Sequence, residues 1–134
     1  MVSIKDVEGI GEISARKLRW AGIETTEALL ERGATPRGRR KIAARTGLSS
    51  KRILEWVNHV DLFRIPGVGE EYAELLEKAG VDTVVELSHR APGKLREKIE
   101  IINDEKQLVR RLPSEARLGE WIEEAKKLPR IVKY

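Results

Sequence analysis

The residues best suited to chemistry in this sequence are two short glycine-bearing stretches, Val7-Glu8-Gly9-Ile10-Gly11 and Ile65-Pro66-Gly67-Val68-Gly69. Ala15 and Leu18 follow the first and Ala73 and Leu76 the second, so both read apolar-x-Gly-apolar-Gly-x-x-x-Ala-x-x-Leu. Two glycines one residue apart permit a left-handed backbone and let a ligand approach the main chain closely. The apolar residue between them, Ile10 or Val68, points back into a core. A helix that starts at such a loop aims N–H groups and the positive end of its dipole at whatever lies over it, which suits a phosphate. Ala15 and Leu18, like Ala73 and Leu76, share one helical face and allow close packing of the two arms of a hairpin.

The charges around the two loops differ. The helix after the first carries Arg16, Lys17 and Arg19, which can neutralise phosphates beside the loop amides. The helix after the second carries Glu70, Glu71, Glu74 and Glu77. Carboxylates repel a phosphodiester, and Glu70 and Glu71 complement the helix dipole themselves. Gly67, Val68 and Gly69 are therefore expected to form a structural corner, and Gly9, Ile10 and Gly11 the binding loop. A second basic group, Pro36-Arg37-Gly38-Arg39-Arg40-Lys41, opens another helix in the same half. It has no base-reading spacing, so Arg37, Arg39, Arg40 and Lys41 offer contact with a sugar-phosphate backbone. Residues 1–60 hold 12 Lys and Arg against 7 Asp and Glu, whereas residues 61–134 hold 14 against 15, so the net charge of +4 belongs to the first half.

With these residues, the two stretches resemble the helix-hairpin-helix motif of DNA ligases, repair nucleases, polymerases and Holliday-junction proteins. The whole chain resembles an uncharacterised family of small prokaryotic proteins built from two such motifs. The motif resemblance implies sequence-independent binding of the DNA backbone, with loop amides on a phosphate and a monovalent cation beside the loop. It implies no activity and no other cofactor.

Two further features invite other functions. Ile42 to Ile53 resembles a helix-turn-helix, with Gly47 in the turn, Ser49 as cap, and Ser50, Lys51 and Arg52 placed to face a major groove. That reading gives a sequence-specific regulator. It is weakened because the corresponding helix of the second half keeps its tryptophan but lacks a basic start. Trp20 lies two turns after Ile13 on one helix face, where the second half has Lys78 and Glu71. An apolar pair where the copy is charged predicts a contact unique to the first half, either with the second unit or with a partner protein. Catalysis finds no support. His59 and His89 match no paired or metal-ligand spacing, and no carboxylate cluster, phosphate-binding P-loop or nucleophile elbow occurs. No catalytic residue, metal site or small-molecule substrate is expected.

These residues must be positioned by an internally repeated scaffold. A shift of 58 residues takes Gly9 to Gly67, Ala21 to Ala79, Gly22 to Gly80, Thr25 to Thr83 and Leu29 to Leu87. Farther on, Arg52 and Trp56 correspond to Arg117 and Trp121 at a shift of 65, so the second copy carries about seven extra residues between Lys94 and Pro113. The expected domains are 1–60, a basic first unit, and 61–134, a second unit with an acidic hairpin and a C-terminal tail.

In the first, Ser3 precedes a short turn, and a hairpin helix runs from Glu12 to Ala21 and stops at Gly22. Thr25 or Thr26, Thr35 with Pro36, and Ser49 start three more helices. In the second, Asp61 to Arg64 forms one hairpin arm and Glu70 to Ala79 the other. Thr83 with Glu86 reads as a capping box, Pro92 opens a helix to about Asn103, and Ser114 caps the last. Trp56 and Trp121 fall on apolar stripes and are expected in the cores. No β-sheet is expected, and the fold class is all-α, with four to five short helices per unit.

Composition bounds the rest. Cysteine is absent, which excludes disulfides and thiolate metal sites. No apolar run approaches the roughly 20 residues that span a bilayer, and no signal-peptide pattern is read in the sequence, so a cytoplasmic protein with no membrane partner is expected. Charged residues make up 36% of the chain with a single Met, the balance expected of a thermophile.

The sequence thus points to a non-enzymatic protein that binds nucleic acid, DNA in the first instance, through its backbone as an accessory or architectural factor. Its rival is a protein–protein interaction module that uses the second unit.

Overall fold

The computed structural model describes residues 2–7 and 9–134. Among these the chain is helical throughout, with eight α-helices, two 3₁₀ turns and no strand beyond a single bridge between Ser3 and Thr25. The all-α expectation holds. The chain divides into two compact units, one running to Asp61 and including Ile131–Tyr134, the other spanning Leu62–Arg130.

In the first unit a 3₁₀ turn at Ile4–Asp6 leads into α1 (Gly11–Trp20). Ser3 does not cap that turn with its side chain. Its backbone bridges Thr25 instead, flanked by bonds from Ile4 N–H to the Glu24 carbonyl (3.2 Å) and from Thr26 N–H to the Val2 carbonyl (3.0 Å). Burying Ala15 and Leu18 fixes the inner face of α1. The helix ends because Gly22 turns left-handed at φ +88°, where a side chain would be strained. Its N–H then reaches the Arg19 carbonyl and that of Ile23 the Leu18 carbonyl, both at 2.9 Å, which satisfies the carbonyls that every helix end leaves open. Arg32 donates to the Ala21 carbonyl at 2.9 Å and closes the same corner.

Three helices complete the unit, each started by the residue whose type predicts it. Thr25 caps α2 (Thr26–Arg32), Thr35 caps α3 (Pro36–Thr46), and Ser49 caps α4 (Ser50–Asp61), each accepting an N–H bond at 3.1 Å. Gly38, in the first turn of α3, has no room for a side chain, because a Cβ there would fall on the Arg32 carbonyl. α4 packs against α2 and α3, and α1 against α3. Ile53, Trp56 and Val57 fill the core from α4.

The last four residues belong to this unit rather than to the second, where the sequence placed the tail. Lys133 N–H donates to the Ala34 carbonyl (2.8 Å), the Tyr134 hydroxyl donates to Asn58 Oδ1 (3.2 Å), and Val132 is buried.

The second unit opens with a 3₁₀ turn at Leu62–Arg64, since α4 runs on to Asp61 and leaves no independent hairpin arm over 61–64. α5 (Glu70–Lys78) ends at Gly80 with the bond pattern found after α1: Gly80 N–H to Glu77 and Val81 N–H to Leu76, both at 2.9 Å. Thr83 caps α6 (Val84–Ser88), α7 extends over Pro92–Lys106, past the expected end at Asn103, and Ser114 caps α8 (Glu115–Lys127). The Glu86 carboxylate is engaged by Arg90 at 2.8 Å. α8 packs on α6 and α7, and α7 also meets α5.

The extra residues of this half lengthen α7 and form the segment that follows it. Asn103 holds that segment by donating to the Val109 carbonyl (3.1 Å) and accepting its N–H (3.0 Å), while the Tyr72 hydroxyl donates to the Arg111 carbonyl (3.0 Å).

Asp82 lies half-buried before the α6 cap. Loss of hydration raises its pKa above the ordinary aspartate value; a backbone hydrogen bond opposes this, Glu86 and Glu77 add to it, and Arg90 opposes it. A carboxyl whose pKa is raised by folding favours the folded state only while it is protonated in the unfolded chain. That contribution disappears as pH rises through the folded-state value. Asp82→Asn is therefore expected to unfold at a higher urea concentration than wild type at pH 7, and at nearly the same concentration at pH 3.5. An equal difference at both pH values would contradict this account.

Candidate nucleic-acid interface

The first glycine loop is shaped by two left-handed residues, Gly9 at φ +88° and Gly11 at φ +70°, with Ile10 buried between them. Glu8 lies outside the described residues. The Ile10 N–H closes the turn on the Val7 carbonyl at 3.2 Å. Among the described residues no side chain caps the start of α1, in contrast to the Thr or Ser caps of α2, α3, α4, α6 and α8. α5, the helix after the second glycine loop, also lacks a side-chain cap.

Trp56 lies beneath the first loop, only 5% exposed, with its indole nitrogen 4.0 Å from where a Cβ on Gly9 would stand. The Arg52 guanidinium sits over that ring, 5.5 Å from its centroid, and donates a long 3.4 Å bond to the Gly9 carbonyl. Only the less favoured helix-turn-helix alternative gave Arg52 a role in the sequence, facing a major groove. The structure turns it toward the first glycine loop, a placement that spacing along one helix could not disclose.

The cations of the first unit fall into two sets. Arg16, Lys17 and Arg19 are exposed on α1, where Arg16 makes only a loose, solvent-exposed pair with Glu12 at 3.7 Å. On α3, Arg37, Arg40 and Lys41 are exposed, and Arg45 extends their face at the i, i+4, i+8 spacing of Arg37, Lys41 and Arg45. Reading the charges as a consecutive run stopped at Lys41 and missed Arg45, although the helical period contains it.

Arg39 does not belong with them. It is 5% exposed and donates to the Gly33 carbonyl (2.8 Å) and the Lys133 carbonyl (2.7 Å), so it ties the C-terminal residues to the start of α3. Burial lowers its pKa from the ordinary arginine value, Tyr134 opposes that shift, and Arg40 adds to it. A guanidinium so engaged has a structural role.

Arg45 and Thr46 at the end of α3 meet Arg16, Lys17 and Trp20 of α1 around a cleft of about 280 Å³. Trp20 is 84% exposed and Ile13, on the same face of α1, is 71% exposed. Trp20 thus stands at the edge of the basic surface.

The second loop is built differently. Gly67 is left-handed at φ +90°, but Gly69 is extended at φ −97°, so only one of the two glycines uses the left-handed region. Val68 is buried. Arg117 stacks over Trp121 at 5.5 Å, and Tyr72 leans on the same ring at 5.4 Å. Pro66, Gly67, Arg117 and Trp121 border a cleft of about 400 Å³ that also takes in Glu120 and Glu124. With Glu70 and Glu71 in the first turn of α5, this surface is acidic around one arginine.

Among the described residues no three His, Asp or Glu side chains cluster to hold a metal ion, and no helix is long and apolar enough to cross a membrane. His59 is buried on α4 and His89 is exposed beyond α6.

Removing Arg39 leaves the buried Gly33 carbonyl and the part-buried Lys133 carbonyl short of a donor. Arg39→Ala is expected to lower the free energy of unfolding by about 2–3 kcal/mol, whereas Arg37→Ala and Arg40→Ala change it by about 0.5 kcal/mol or less. Urea unfolding of the three variants checks this. Equal effects would mean that Arg39 is an ordinary surface cation.

Residues 8–128 match the family model of the Domain of unknown function (DUF4332). Neither a curated protein nor a solved structure matches the chain.

Proposed function

The chain belongs to the family of the domain of unknown function DUF4332, and from that starting point we propose that it is a non-enzymatic protein that binds the DNA backbone without sequence preference. On this reading its two units are duplicated helix-hairpin-helix modules, the first acting as the clamp and the second as a rigid companion or a seat for another protein.

The observation that carries the proposal is a coincidence on the first unit. The loop with two left-handed glycines opens a helix that no side chain among the described residues caps, and exposed Arg16, Lys17 and Arg19 follow along that helix. An oxyanion at such a helix start gains from unpaired N–H groups and the dipole together, and nearby cations extend the gain to neighbouring phosphates. Arg52 adds a further positive charge at Gly9. Arg37, Arg40, Lys41 and Arg45 continue the cationic surface along α3. Because phosphate contacts carry no sequence information, these groups position a strand without reading it. The second loop has the acidic surroundings that oppose such a role.

The test is binding of a labelled DNA duplex by the full chain across a range of salt. If about four phosphates are neutralised, log affinity should fall against log salt with a slope near −3.6. Two charge reversals, Lys17→Glu/Arg19→Glu and Arg37→Glu/Arg40→Glu, should each weaken binding and flatten the slope by about 2, with circular dichroism unchanged. No binding by wild type at low salt would overturn the proposal. The glycine loops would then be folding corners, and the protein-interaction reading of the acidic second unit would take its place.

A further inference from the structure

Trp20 is not explained by a backbone clamp. An indole left 84% exposed on a helix whose opposite face already fills the core contributes nothing to folding that the structure shows. It borders a cleft of about 280 Å³ whose other walls are Arg16 and Lys17 of α1 and Arg45 and Thr46 of α3. Three cations thus surround one flat aromatic surface. A duplex keeps its base faces stacked inside, so it offers phosphates to the cations and nothing to the ring. A single strand offers both: each base has an open π-face, and each linkage carries a charge. The volume sits just below the roughly 300–1,000 Å³ of pockets for drug-sized ligands, a scale suited to one base.

We propose that the Trp20 cleft binds an unpaired nucleotide of a DNA strand, its base stacked on the indole and its flanking phosphates held by Arg16, Lys17 and Arg45. Charge complementarity selects this occupant over an apolar protein surface, which would gain from Trp20 and Ile13 but would have to strip water from three cations. The proposal rests on the backbone-binding reading and adds to it a preference for DNA with a single-stranded portion. At 1.5 Å of rise per residue, the indole-bearing end of α1 stands about 13 Å from the glycine loop. A strand lying along α1 would then place a phosphate at Gly9–Gly11 and a base at Trp20. Ile13, exposed on the same face between them, offers a smaller apolar contact to an intervening base.

The experiment uses the intrinsic fluorescence of the full chain, which has three tryptophans. Two of them, Trp56 and Trp121, are buried, so quenching by an added ligand reports chiefly on Trp20. The probes are an oligothymidylate, an abasic oligonucleotide with the same number of phosphates, and a blunt duplex. The oligothymidylate should quench the emission and protect it from acrylamide, whereas the abasic strand and the duplex should not. Trp20→Ala should lose the quenching and bind oligothymidylate about tenfold more weakly, with duplex affinity unchanged. Arg45→Ala should weaken oligothymidylate binding by a smaller factor while keeping the quenching.

Equal binding of the abasic and base-bearing strands, with no effect of Trp20→Ala, would overturn the stacking proposal and leave the backbone clamp standing if the duplex still binds. Trp20-dependent binding of oligothymidylate without duplex binding would uphold the cleft and overturn the duplex clamp. Quenching by polyglutamate as strong as by oligothymidylate would overturn the nucleotide assignment in favour of an acidic polypeptide.

Discussion

The first unit depends on one reversal of the chain, at Gly9 above Trp56. Gly9 adopts φ +88°, which sends Ile10 into the core and lets α1 start two residues later at Gly11. Beneath it, α4 supplies both Trp56 and Arg52, so the loop rests on an indole while its carbonyl faces a guanidinium. The bond from Arg52 is long, and its contribution is electrostatic more than geometric. It covers the partial negative charge of a carbonyl beside the place where an anionic ligand would sit. Gly67, Arg117 and Trp121 form a like arrangement in the second unit, which indicates that an arginine on a tryptophan is a general way of supporting these loops.

If support is shared, function must come from what surrounds it. In the first unit most of the exposed cations lie on two packed helices, α1 and α3. Around the second loop the charged groups are mostly carboxylates: Glu70 and Glu71 at the start of α5, Glu120 and Glu124 on α8. Coulomb energy at the separations of surface charges is modest per pair in water, but it sums with one sign over several phosphates. Two loops of similar sequence therefore stand in unlike electrostatic surroundings. The extended Gly69 reinforces the difference, because it changes the backbone path into α5 relative to the path through Gly11 into α1.

What could be read from the sequence was local. Thr25, Thr35, Ser49, Thr83 and Ser114 act as caps because a hydroxyl three residues before an N–H can reach it within one turn, whatever the rest of the chain does. Gly22 ends α1 for an equally local reason. Arg39 was illegible because its partner is the carbonyl of Lys133, 94 residues away, and nothing in a basic run marks which member turns inward. The tail was misassigned for the same reason. Arg52 was legible as a cation but not as a neighbour of Gly9, from which it is separated by 43 residues. Gly69 looked interchangeable with Gly11, since spacing reports where a left-handed residue is permitted and not where one is used.

α1 and α5 together separate what folding requires from what it does not. Both bury an Ala and a Leu on the inner face, Ala15 and Leu18 in one and Ala73 and Leu76 in the other, and both end in the same glycine-closed pattern. On the outer face α5 carries Glu71 and Lys78 where α1 carries Ile13 and Trp20. The second helix forms and packs with charged residues at those positions, so the apolar pair is not a condition of building such a helix. Exposing most of an indole and of a branched aliphatic side chain to water has an unfavourable hydration free energy. The proposed docking of an unpaired base with its phosphates would cover that apolar surface and pair the charges of Arg16, Lys17 and Arg45 in one step.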